Sequence, residues 1–367
     1  MKGVINSSLT QRLTDLDGVV VDTGTSFADL TTLRLGGRPH AVVRCSTAEA
    51  VVEAVKLIDA SEHDLLILAG GSNLVIADGE LDLIAVRLEN DDVSFGDDGL
   101  VTAGAGAVWD DVVAASVERG LGGIECLSGI PGSTGATPVQ NVGAYGTEIA
   151  DVLTRVKLYE RATGKVFWSD ASELELAYRY SNLKFTQRAV VLEVEFQLST
   201  DGLSAPLRFG ALAGEAGERR PVAEVRDEVL GLRRGKGMVL DEGDYDTWSA
   251  GSFFTNPIVA SEIADQVQAA VRSERGDADA DRMPRWAAEG GEKLSAAWLI
   301  ERAGFPRGYP GEDAPVRLST KHTLALTNRG QAVTEDLVSL AREVRDGVQS
   351  AFGVQLVPEP VWVGVEI

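Results

Sequence analysis

The chain of 367 residues is long enough for two or three domains, and its apolar share (44%) and charged share (25%) are ordinary for a globular protein. The formal net charge of −22 argues against a nucleic-acid partner, whose phosphates would be repelled. No stretch approaches the roughly 20 apolar residues of a membrane span, and the N-terminus lacks a secretory pattern. We therefore expect a soluble cytoplasmic protein with no membrane partner.

The cysteines and histidines form no metal-binding pattern along the sequence. Cys45 and Cys126 give neither a disulfide framework nor a metal-ligand spacing, and both are interpreted as small buried side chains in a reducing compartment. His40, His63 and His322 are scattered along the chain, so we expect no metal site.

The first patterned segments predict a βαβ unit, after a polar lead-in over residues 1–25. TTLRLGG predicts a strand and turn, and HAVVRC predicts a strand. Thr47 is the expected N-cap of a helix over residues 48–59. LLILAGGSNLVI predicts two apolar strands joined by a glycine turn. Such a unit is common in nucleotide-binding proteins.

Glycine dominates the next part of the chain. Residues 103–120 predict a strand, a turn and an amphipathic helix that ends near Gly120, but the third glycine of the dinucleotide fingerprint is missing. A Rossmann site is therefore disfavoured. Residues 120–149 contain eight glycines among small residues. Their backbone amides could surround an anion closely, although a run of turns between strands explains the glycines equally well.

The remainder predicts a sheet followed by a mostly helical region. Strands are expected at 152–160, 165–170 and 189–198, ahead of a boundary rich in Gly, Ala, Glu and Arg at 200–222. The later expectations are, in chain order, helices at 222–234 and 261–274, a loop around 276–284, a helix at 293–304, a strand and turn at 323–330, a helix at 334–353 with Thr334 as N-cap, and a strand-like tail at 354–367.

Eight short motifs follow one another from about residue 26 to the C-terminus: TTLRLGG, AGGSNLVI, IPGSTGATPVQNVGAYG, AYRYS, SAGSFFTNP, KLSAAWLIERAG, KHTLALTN and LVPEPVW. Each motif alone is weak. The ordered set resembles the UDP-N-acetylenolpyruvoylglucosamine reductase family, flavoenzymes also called UDP-N-acetylmuramate dehydrogenases.

The resemblance implies an α+β fold: an FAD-binding fold of the p-cresol methylhydroxylase (vanillyl-alcohol oxidase) type with two subdomains, plus an α+β substrate-binding domain. FAD-binding subdomain 1 would span 1–92, completed by the C-terminal segment 354–367, with subdomain 2 at 93–205 and the substrate-binding domain at 206–353. The residues implied to bind FAD are Gly70, Gly71, Ser72, Asn73, Pro131, Gly132, Ser133, Gly135, Ala136, Gln140, Asn141, Gly143, Ala144 and Tyr145.

The resemblance also implies an NADPH-dependent oxidoreductase of peptidoglycan precursor synthesis, and so of cell-wall biogenesis, cell shape and cell division. It would reduce the enolpyruvyl double bond of UDP-N-acetylglucosamine enolpyruvate to UDP-N-acetylmuramate. Hydride would come from reduced FAD and the proton from Ser252, with the enolate stabilised by Arg179 and Glu359. The residues implied to contact the UDP-sugar are Lys236, Asn256 and Lys293. FAD and NADPH would be the cofactors, and we expect a monomer.

Without the motifs, these side chains have ordinary explanations. An arginine such as Arg179 is more often in an ion pair, a serine such as Ser252 in a turn or cap, and a glutamate such as Glu359 is more often solvated. The loop after Arg179 is also short, and it has no tyrosine before Val190 other than Tyr180 to cover a substrate. Tyr245 and Trp248 are candidates for that role.

Two other functions stay open on the sequence. One is a different flavin oxidoreductase of the same fold, such as an alcohol or sugar oxidase. Many of these hold FAD covalently through histidine or cysteine, whereas no histidine lies in residues 120–146. The other is an acidic binding protein that keeps the fold without the chemistry. The joint presence of Arg179, Ser252 and Glu359 argues against it.

Overall fold

The computed structural model describes residues 7–208 and 211–367. The chain divides into two compact units, each assembled from three stretches of sequence. Unit 1 comprises Met1–Ser26, Arg38–Gly71 and Glu80–Arg234, and unit 2 comprises Phe27–Gly37, Ser72–Gly79 and Gly235–Ile367.

Within the described residues the α-helices are α1 (Ser7–Thr14), α2 (Ala48–Asp59), α3 (Trp109–Glu118), α4 (Val222–Gly235), α5 (Ser261–Arg275), α6 (Asp277–Ala280), α7 (Ala296–Arg302) and α8 (Thr334–Phe352). The strands are β1 (Val19–Asp22), β2 (Arg38–Cys45), β3 (Asp64–Leu68), β4 (Leu74–Ile76), β5 (Glu80–Leu88), β6 (Val93–Phe95), β7 (Leu100–Gly104), β8 (Gly143–Ala144), β9 (Thr147–Glu148), β10 (Leu153–Glu160), β11 (Lys165–Asp170), β12 (Ala189–Gln197), β13 (Ile258–Val259), β14 (Arg285–Ala288), β15 (Gly291–Leu294), β16 (Val316–Leu318), β17 (Leu326–Asn328) and β18 (Val361–Val363).

The first sheet of unit 1 has the strand order β1-β2-β5-β3, in which β2, β5 and β3 are parallel and β1 is antiparallel to β2. The predicted βαβ unit is confirmed as β2-α2-β3, with β5 inserted between its strands. Thr47 caps α2, because its hydroxyl oxygen accepts the Ala50 N–H at 3.0 Å. The helix buries Val51, Val55 and Ile58, one stripe at a spacing of three to four residues.

The second sheet of unit 1 is antiparallel, with the order β11-β10-β12-β7-β6. It confirms the strands predicted at 152–160, 165–170 and 189–198. Trp109 at the start of α3 is buried, its indole N–H donates to the Leu127 carbonyl at 3.1 Å, and its ring lies 5.8 Å from that of Phe196. One continuous hydrophobic core runs under both sheets of this unit.

Unit 2 consists of short strands packed with α5, α7 and α8 around its own core. Helix α8 buries Leu337, Ala341, Val344 and Val348 and ends at Gly353, whose φ of 68° only glycine adopts readily. Strand β18 pairs in parallel with β4. None of the helices in residues 7–208 and 211–367 is both long and apolar enough to cross a membrane.

The structure corrects two expectations near the N-terminus. The segment interpreted as a lead-in contains α1 and β1, and α1 buries Leu9 and Leu13. Two apolar side chains are too few for a recognisable period. TTLRLGG forms no strand; Arg34 has a φ of 54°, and the Thr32 hydroxyl donates to the Ser249 carbonyl at 2.7 Å. Its threonines bond to backbone in a turn, which propensity alone does not reveal.

Three further expectations are corrected in unit 2. The helix expected at 293–304 begins only at Ala296, because Ser295 caps it and Lys293 lies in β15. The N-cap of α8 is Val333 and not Thr334, whose hydroxyl instead donates to the Ile76 carbonyl at 2.7 Å. The loop expected around 276–284 contains the short helix α6.

Candidate active site

The glycine-rich segment of unit 1 lies against the turn that follows β3. A Cβ added at Gly70 would lie 2.5 Å from the Gly132 Cα, so the two backbones touch without side chains between them. Behind this contact, the Thr134 N–H donates to the Ala107 carbonyl at 2.8 Å, and the Gly135 N–H donates to the Ala105 carbonyl at 2.9 Å. The segment is therefore held rigidly while its own side chains stay small.

Ser133, at the centre of this contact, carries a buried hydroxyl. Its Oγ has no hydrogen-bond partner within the described residues, although the residue is only 5% exposed. Leaving such a group unsatisfied costs about 1–3 kcal/mol, so the hydroxyl points to a missing ligand. A donor hydroxyl in a loop of glycines and other small residues suits an anion such as a diphosphate. The residues present thus fit the diphosphate of FAD.

The later half of the segment is braced by Asn141, one of the residues expected to bind FAD. The Asn141 side-chain amide donates to Glu148 Oε2 at 2.8 Å and to the Ala177 carbonyl at 3.0 Å, and its Oδ1 accepts the Ala150 N–H at 3.1 Å. Asn141 has a φ of 45° and Tyr145 a φ of 52°. Tyr145 is half-buried, and burial raises the pKa of its hydroxyl. Non-glycine residues held in this conformation store strain, which is typical of functional sites.

Arg179 contacts the same segment. Its Nη2 donates to the Gly143 carbonyl at 2.6 Å, and its guanidinium lies 5.1 Å from the centre of the Tyr178 ring. The φ of Arg179 is 55°, and the Lys184 ammonium donates to its carbonyl at 3.0 Å. The structure therefore brings Arg179 to β8, beside residues expected to bind FAD.

In unit 2, Ser252 and Glu359 lie on neighbouring backbone segments. The Glu359 N–H donates to the Phe253 carbonyl at 2.9 Å, and the Phe253 N–H donates to the Leu324 carbonyl at 2.8 Å. Both Ser252 and Glu359 are half-buried. The structure thus brings together two of the three residues expected to be catalytic.

His322 is a neighbour of Ser252 that the sequence analysis missed. Its Nε2 lies 3.5 Å from Ser252 Oγ, the outer limit of a hydrogen bond. The only signal in the sequence is its place in the KHTLALTN motif, which specifies no role.

Asn73, expected to bind FAD, is joined to the Glu359 segment. The Val361 N–H donates to the Asn73 carbonyl at 2.9 Å, and the Asn73 side-chain amide lies 3.4 Å from the Glu359 carbonyl oxygen. The pairing of β4 with β18 therefore fixes the backbone direction at Glu359, which Pro358 and Pro360 restrict further.

The residues expected to contact the UDP-sugar lie in different structural environments. Asn256 Oδ1 accepts the Ala296 N–H at 3.0 Å, which satisfies an orphan donor at the start of α7. Lys293 is half-buried in β15, in register with Ile258 of β13, two residues after Asn256. These two residues thus belong to one small sheet and its edge. Lys236 is exposed immediately after α4.

The candidates for covering a substrate pack on their own neighbours. The Tyr245 ring lies 4.6 Å from that of Trp248, and the Arg329 guanidinium lies 5.5 Å from the Tyr245 ring centre. Tyr245 is nevertheless 42% exposed.

Two histidines that are separated in sequence meet in unit 1. Metal-ligating atoms of His40, His63 and Asp82 all lie within 4.8 Å of one another. Distance along the sequence therefore did not indicate that two of the histidines meet, because parallel strands bring residues from distant parts of the chain into one row.

Comparisons with known proteins match two parts of the chain to known domain families. Residues 39–170 match the model of the FAD binding domain family, and residues 243–363 match that of the UDP-N-acetylenolpyruvoylglucosamine reductase C-terminal domain. The solved reductase of Thermus caldophilus shares the fold with a TM-score of 0.63 at 23% identity, covering 94% of this chain and 98% of that chain. The matched families thus define an FAD-containing oxidoreductase, and the predicted α+β FAD-binding fold is confirmed.

Full-length relatives identify the family. The chain is 64% identical over 372 residues to the UDP-N-acetylenolpyruvoylglucosamine reductase of Corynebacterium glutamicum strain R, covering 99% of this chain and 100% of the relative. It is 56% identical over 354 residues to the reductase of Nocardia farcinica, covering 95% of this chain and 91% of the relative. The chain belongs to the UDP-N-acetylenolpyruvoylglucosamine reductase family, as its motifs predicted.

Proposed function

We propose that this protein reduces the enolpyruvyl double bond of UDP-N-acetylglucosamine enolpyruvate with NADPH, forming UDP-N-acetylmuramate for peptidoglycan synthesis. The observation that carries the proposal is 64% identity over the full length of a protein named UDP-N-acetylenolpyruvoylglucosamine reductase. A cytoplasmic location and a monomeric state belong to the same proposal. The free thiols of Cys45 and Cys126 fit a reducing compartment.

We assign the two FAD-binding subdomains to residues 1–92 and 93–205, and the substrate-binding domain to residues 206–353. The first sheet lies wholly in the first range and the second sheet in the second, which supports the boundary between them. We also assign residues 354–367 to the first subdomain; their strand β18 pairs with β4 of residues 1–92, and both strands lie in unit 2.

The proposed FAD-binding residues are those of the two glycine-rich turns: Gly70, Gly71, Ser72, Asn73, Pro131, Gly132, Ser133, Gly135, Ala136, Gln140, Asn141, Gly143, Ala144 and Tyr145. Backbone amides and the Ser133 hydroxyl would donate to the diphosphate oxygens. When bound, FAD supplies the hydride chemistry, taking a hydride from NADPH and giving it to the substrate. Asn141 holds the loop in shape through its three hydrogen bonds.

Arg179 would stabilise the negative charge that forms on the substrate. Hydride arriving at the methylene carbon leaves charge on the α-carbon and its carboxylate. A guanidinium offers five donors in a planar fork that matches a carboxylate. The bond from Arg179 to the Gly143 carbonyl orients this fork beside the FAD-binding segment before substrate arrives.

Ser252 would then donate its hydroxyl proton to the α-carbon, which completes the addition of one hydride and one proton. A serine hydroxyl is a weak acid, so neighbouring groups must polarise it. His322 Nε2 at 3.5 Å is one such group, and Glu359 on the adjacent segment is the other. We assign Glu359 to stabilising the enolate and orienting the serine.

The UDP diphosphate would be bound by Lys236, Asn256 and Lys293. Two ammonium groups and an amide supply local positive charge and donors in a chain whose net charge is −22. The amide nitrogen of Asn256 would donate while its oxygen stays bonded to the N–H of Ala296.

The decisive experiment follows the flavin absorbance of the purified protein under anaerobic conditions. NADPH should bleach the flavin spectrum, and UDP-N-acetylglucosamine enolpyruvate should then restore it in one turnover. A reduced flavin that only oxygen reoxidises would contradict the proposal and favour an oxidase. A colourless protein that takes up no added FAD would favour a binding protein.

The role of Ser252 is tested by Ser252→Ala in the same assay. Reduction by NADPH should keep its rate, whereas reoxidation by substrate should slow by roughly 10²–10⁴-fold, the usual contribution of a positioned proton donor. Ser273→Ala, at an exposed position of α5, is the matched control and should change neither rate. Equal slowing of both half-reactions in Ser252→Ala would mean that the serine only shapes the site.

A further inference from the structure

His40, His63 and Asp82 form a row across three neighbouring elements of the first sheet of unit 1. His40 lies in β2 and Asp82 in β5, and these strands are adjacent and parallel. His63 directly precedes β3, the neighbour of β5 on its other side. The row is therefore built from chain segments that only the folded sheet brings together.

A β-bulge aims two of these side chains at each other. Pro39 opposes Leu81 and Ala41 opposes Ile84, so the single residue His40 faces two residues of β5, one of which is Asp82. Bulges redirect side chains and are enriched at functional sites.

The distances suit three ligands of one ion. His40 Nε2 lies 2.8 Å from Asp82 Oδ1, the two imidazole centroids are 5.2 Å apart, and the ligating atoms all lie within 4.8 Å of one another. Ligands bound to zinc at about 2.0–2.2 Å in a tetrahedron are ~3.4 Å apart, so the widest separation of up to 4.8 Å must close by about 1.4 Å and the His40–Asp82 pair must open by about 0.6 Å. The Asp82 side chain is 49% exposed and so has room to move.

We propose that His40, His63 and Asp82 bind a first-row divalent cation, with zinc as the preferred ion. Two neutral imidazoles and one carboxylate are a ligand set that zinc accepts, and water would fill the fourth position. The bound ion would join β2, β5 and the segment before β3, and so stabilise this sheet. None of its three residues is among those assigned to FAD or to the enolpyruvyl substrate.

The contact between His40 and Asp82 does not explain why the His63 ring lies beside them. A histidine that only pairs with a carboxylate needs no second imidazole against its ring. The two imidazole centroids lie 5.2 Å apart, and one cation can bind a nitrogen of each ring.

The test is a titration of the full-length, flavin-loaded protein with ZnCl₂ after dialysis against a chelator. Calorimetry and competition with a chromophoric chelator should both give one zinc ion per chain with a dissociation constant in the micromolar range or below. Saturating zinc should raise the Tm by a few degrees, since it binds the folded state selectively.

His63→Gln removes one ligand but leaves the His40–Asp82 pair intact. It should weaken zinc binding by more than the roughly 10–100-fold that follows loss of a group that only supports a ligand. Asp82→Asn, at an exposed position, should do the same if His63→Gln fails to fold. Glu80→Gln is the matched control: it removes the same charge from an exposed position of the same strand and should bind zinc normally.

Flavin content and circular dichroism check that each variant is folded. A wild-type dissociation constant in the millimolar range, or equal zinc binding by wild type and a folded His63→Gln or Asp82→Asn variant, overturns the proposal. If Glu80→Gln loses as much zinc binding as the ligand variants, the proposal is also overturned, because overall charge would then account for the binding.

Discussion

Gly70→Ala tests whether the backbone contact between the two glycine-rich turns is needed to hold FAD. Gly70 does not have a positive φ, so alanine can adopt its backbone conformation without strain. The added Cβ would lie 2.5 Å from the Gly132 Cα and 3.0 Å from the Ser133 nitrogen. The effect of the substitution is therefore purely steric.

The size of the effect follows from these distances. Carbon atoms in favourable contact are about 3.5–4.0 Å apart, so the Gly132 backbone must retreat by about 1 Å. Overpacking of this kind costs about 1–3 kcal/mol. If this free energy is lost from FAD binding, the dissociation constant for FAD should rise by roughly 5–150-fold, since each 1.4 kcal/mol changes it tenfold.

The assay is a titration of flavin-free protein with FAD, followed by flavin fluorescence. Gly231→Ala is the matched control, because its added methyl meets nothing within 4 Å on the exposed surface of α4. That control should bind FAD normally and should gain up to about 1 kcal/mol of stability, since alanine is a better helix former than glycine.

Wild-type affinity for FAD in a folded Gly70→Ala variant would refute the reasoning. It would mean either that the turn relaxes without cost or that FAD does not lie against this contact. An equal loss in Gly231→Ala would show that the measurement reports general stability and not the loop.

Two further predictions concern groups within unit 1. Burial raises the pKa of Asp110, but hydrogen bonds from Arg226 and from the Gly129 N–H lower it by more, so the pKa lies below its ordinary value. Because the folded pKa lies below the unfolded value of about 3.9, this stabilisation is present above pH 4 and is lost as the pH falls through the folded pKa. Asp110→Asn should therefore lower the free energy of unfolding at pH 7 by about 1–3 kcal/mol, measured in urea titrations. The free energy of unfolding of this variant should also fall less steeply below pH 4 than that of the wild type. The same fall below pH 4 in both proteins would contradict this prediction. Burial raises the pKa of Cys45 to about 12 and that of Cys126 to about 11, so a thiol reagent at pH 8 should label neither in the native protein and both after unfolding; rapid native labelling would contradict their burial.

Local features of the fold were predictable from the sequence. Thr47 and helix α2 were correctly predicted because an N-cap and an apolar periodicity can be recognised within one short stretch of sequence. TTLRLGG was wrongly predicted as a strand because its apolar residues pack in unit 2 through a turn, with no partner strand. A strand requires a partner, and the partner lies outside any sequence window.

The candidate site likewise combines features that consecutive residues indicate with features that depend on distant segments of the chain. The glycine-rich segment could be located from composition, but its contact with Gly70 depends on where the turn after β3 lies in the fold. Arg179, Ser252 and Glu359 were assigned only through the family motifs, since no spacing relates them. His322 and the cluster of His40 with His63 depend on pairing between distant segments, so nothing local indicates them.

The pairing of β4 with β18 has a consequence for biosynthesis. Val361 lies opposite Leu74, so β4 receives its partner strand only after about 287 further residues (361 − 74) have been synthesised. Unit 2 also takes its residues 27–37 and 72–79 from within the sequence of unit 1. These two segments remain without their partners from residues 235–367 until that stretch has been synthesised, so unit 2 cannot complete its native structure before β18 leaves the ribosome.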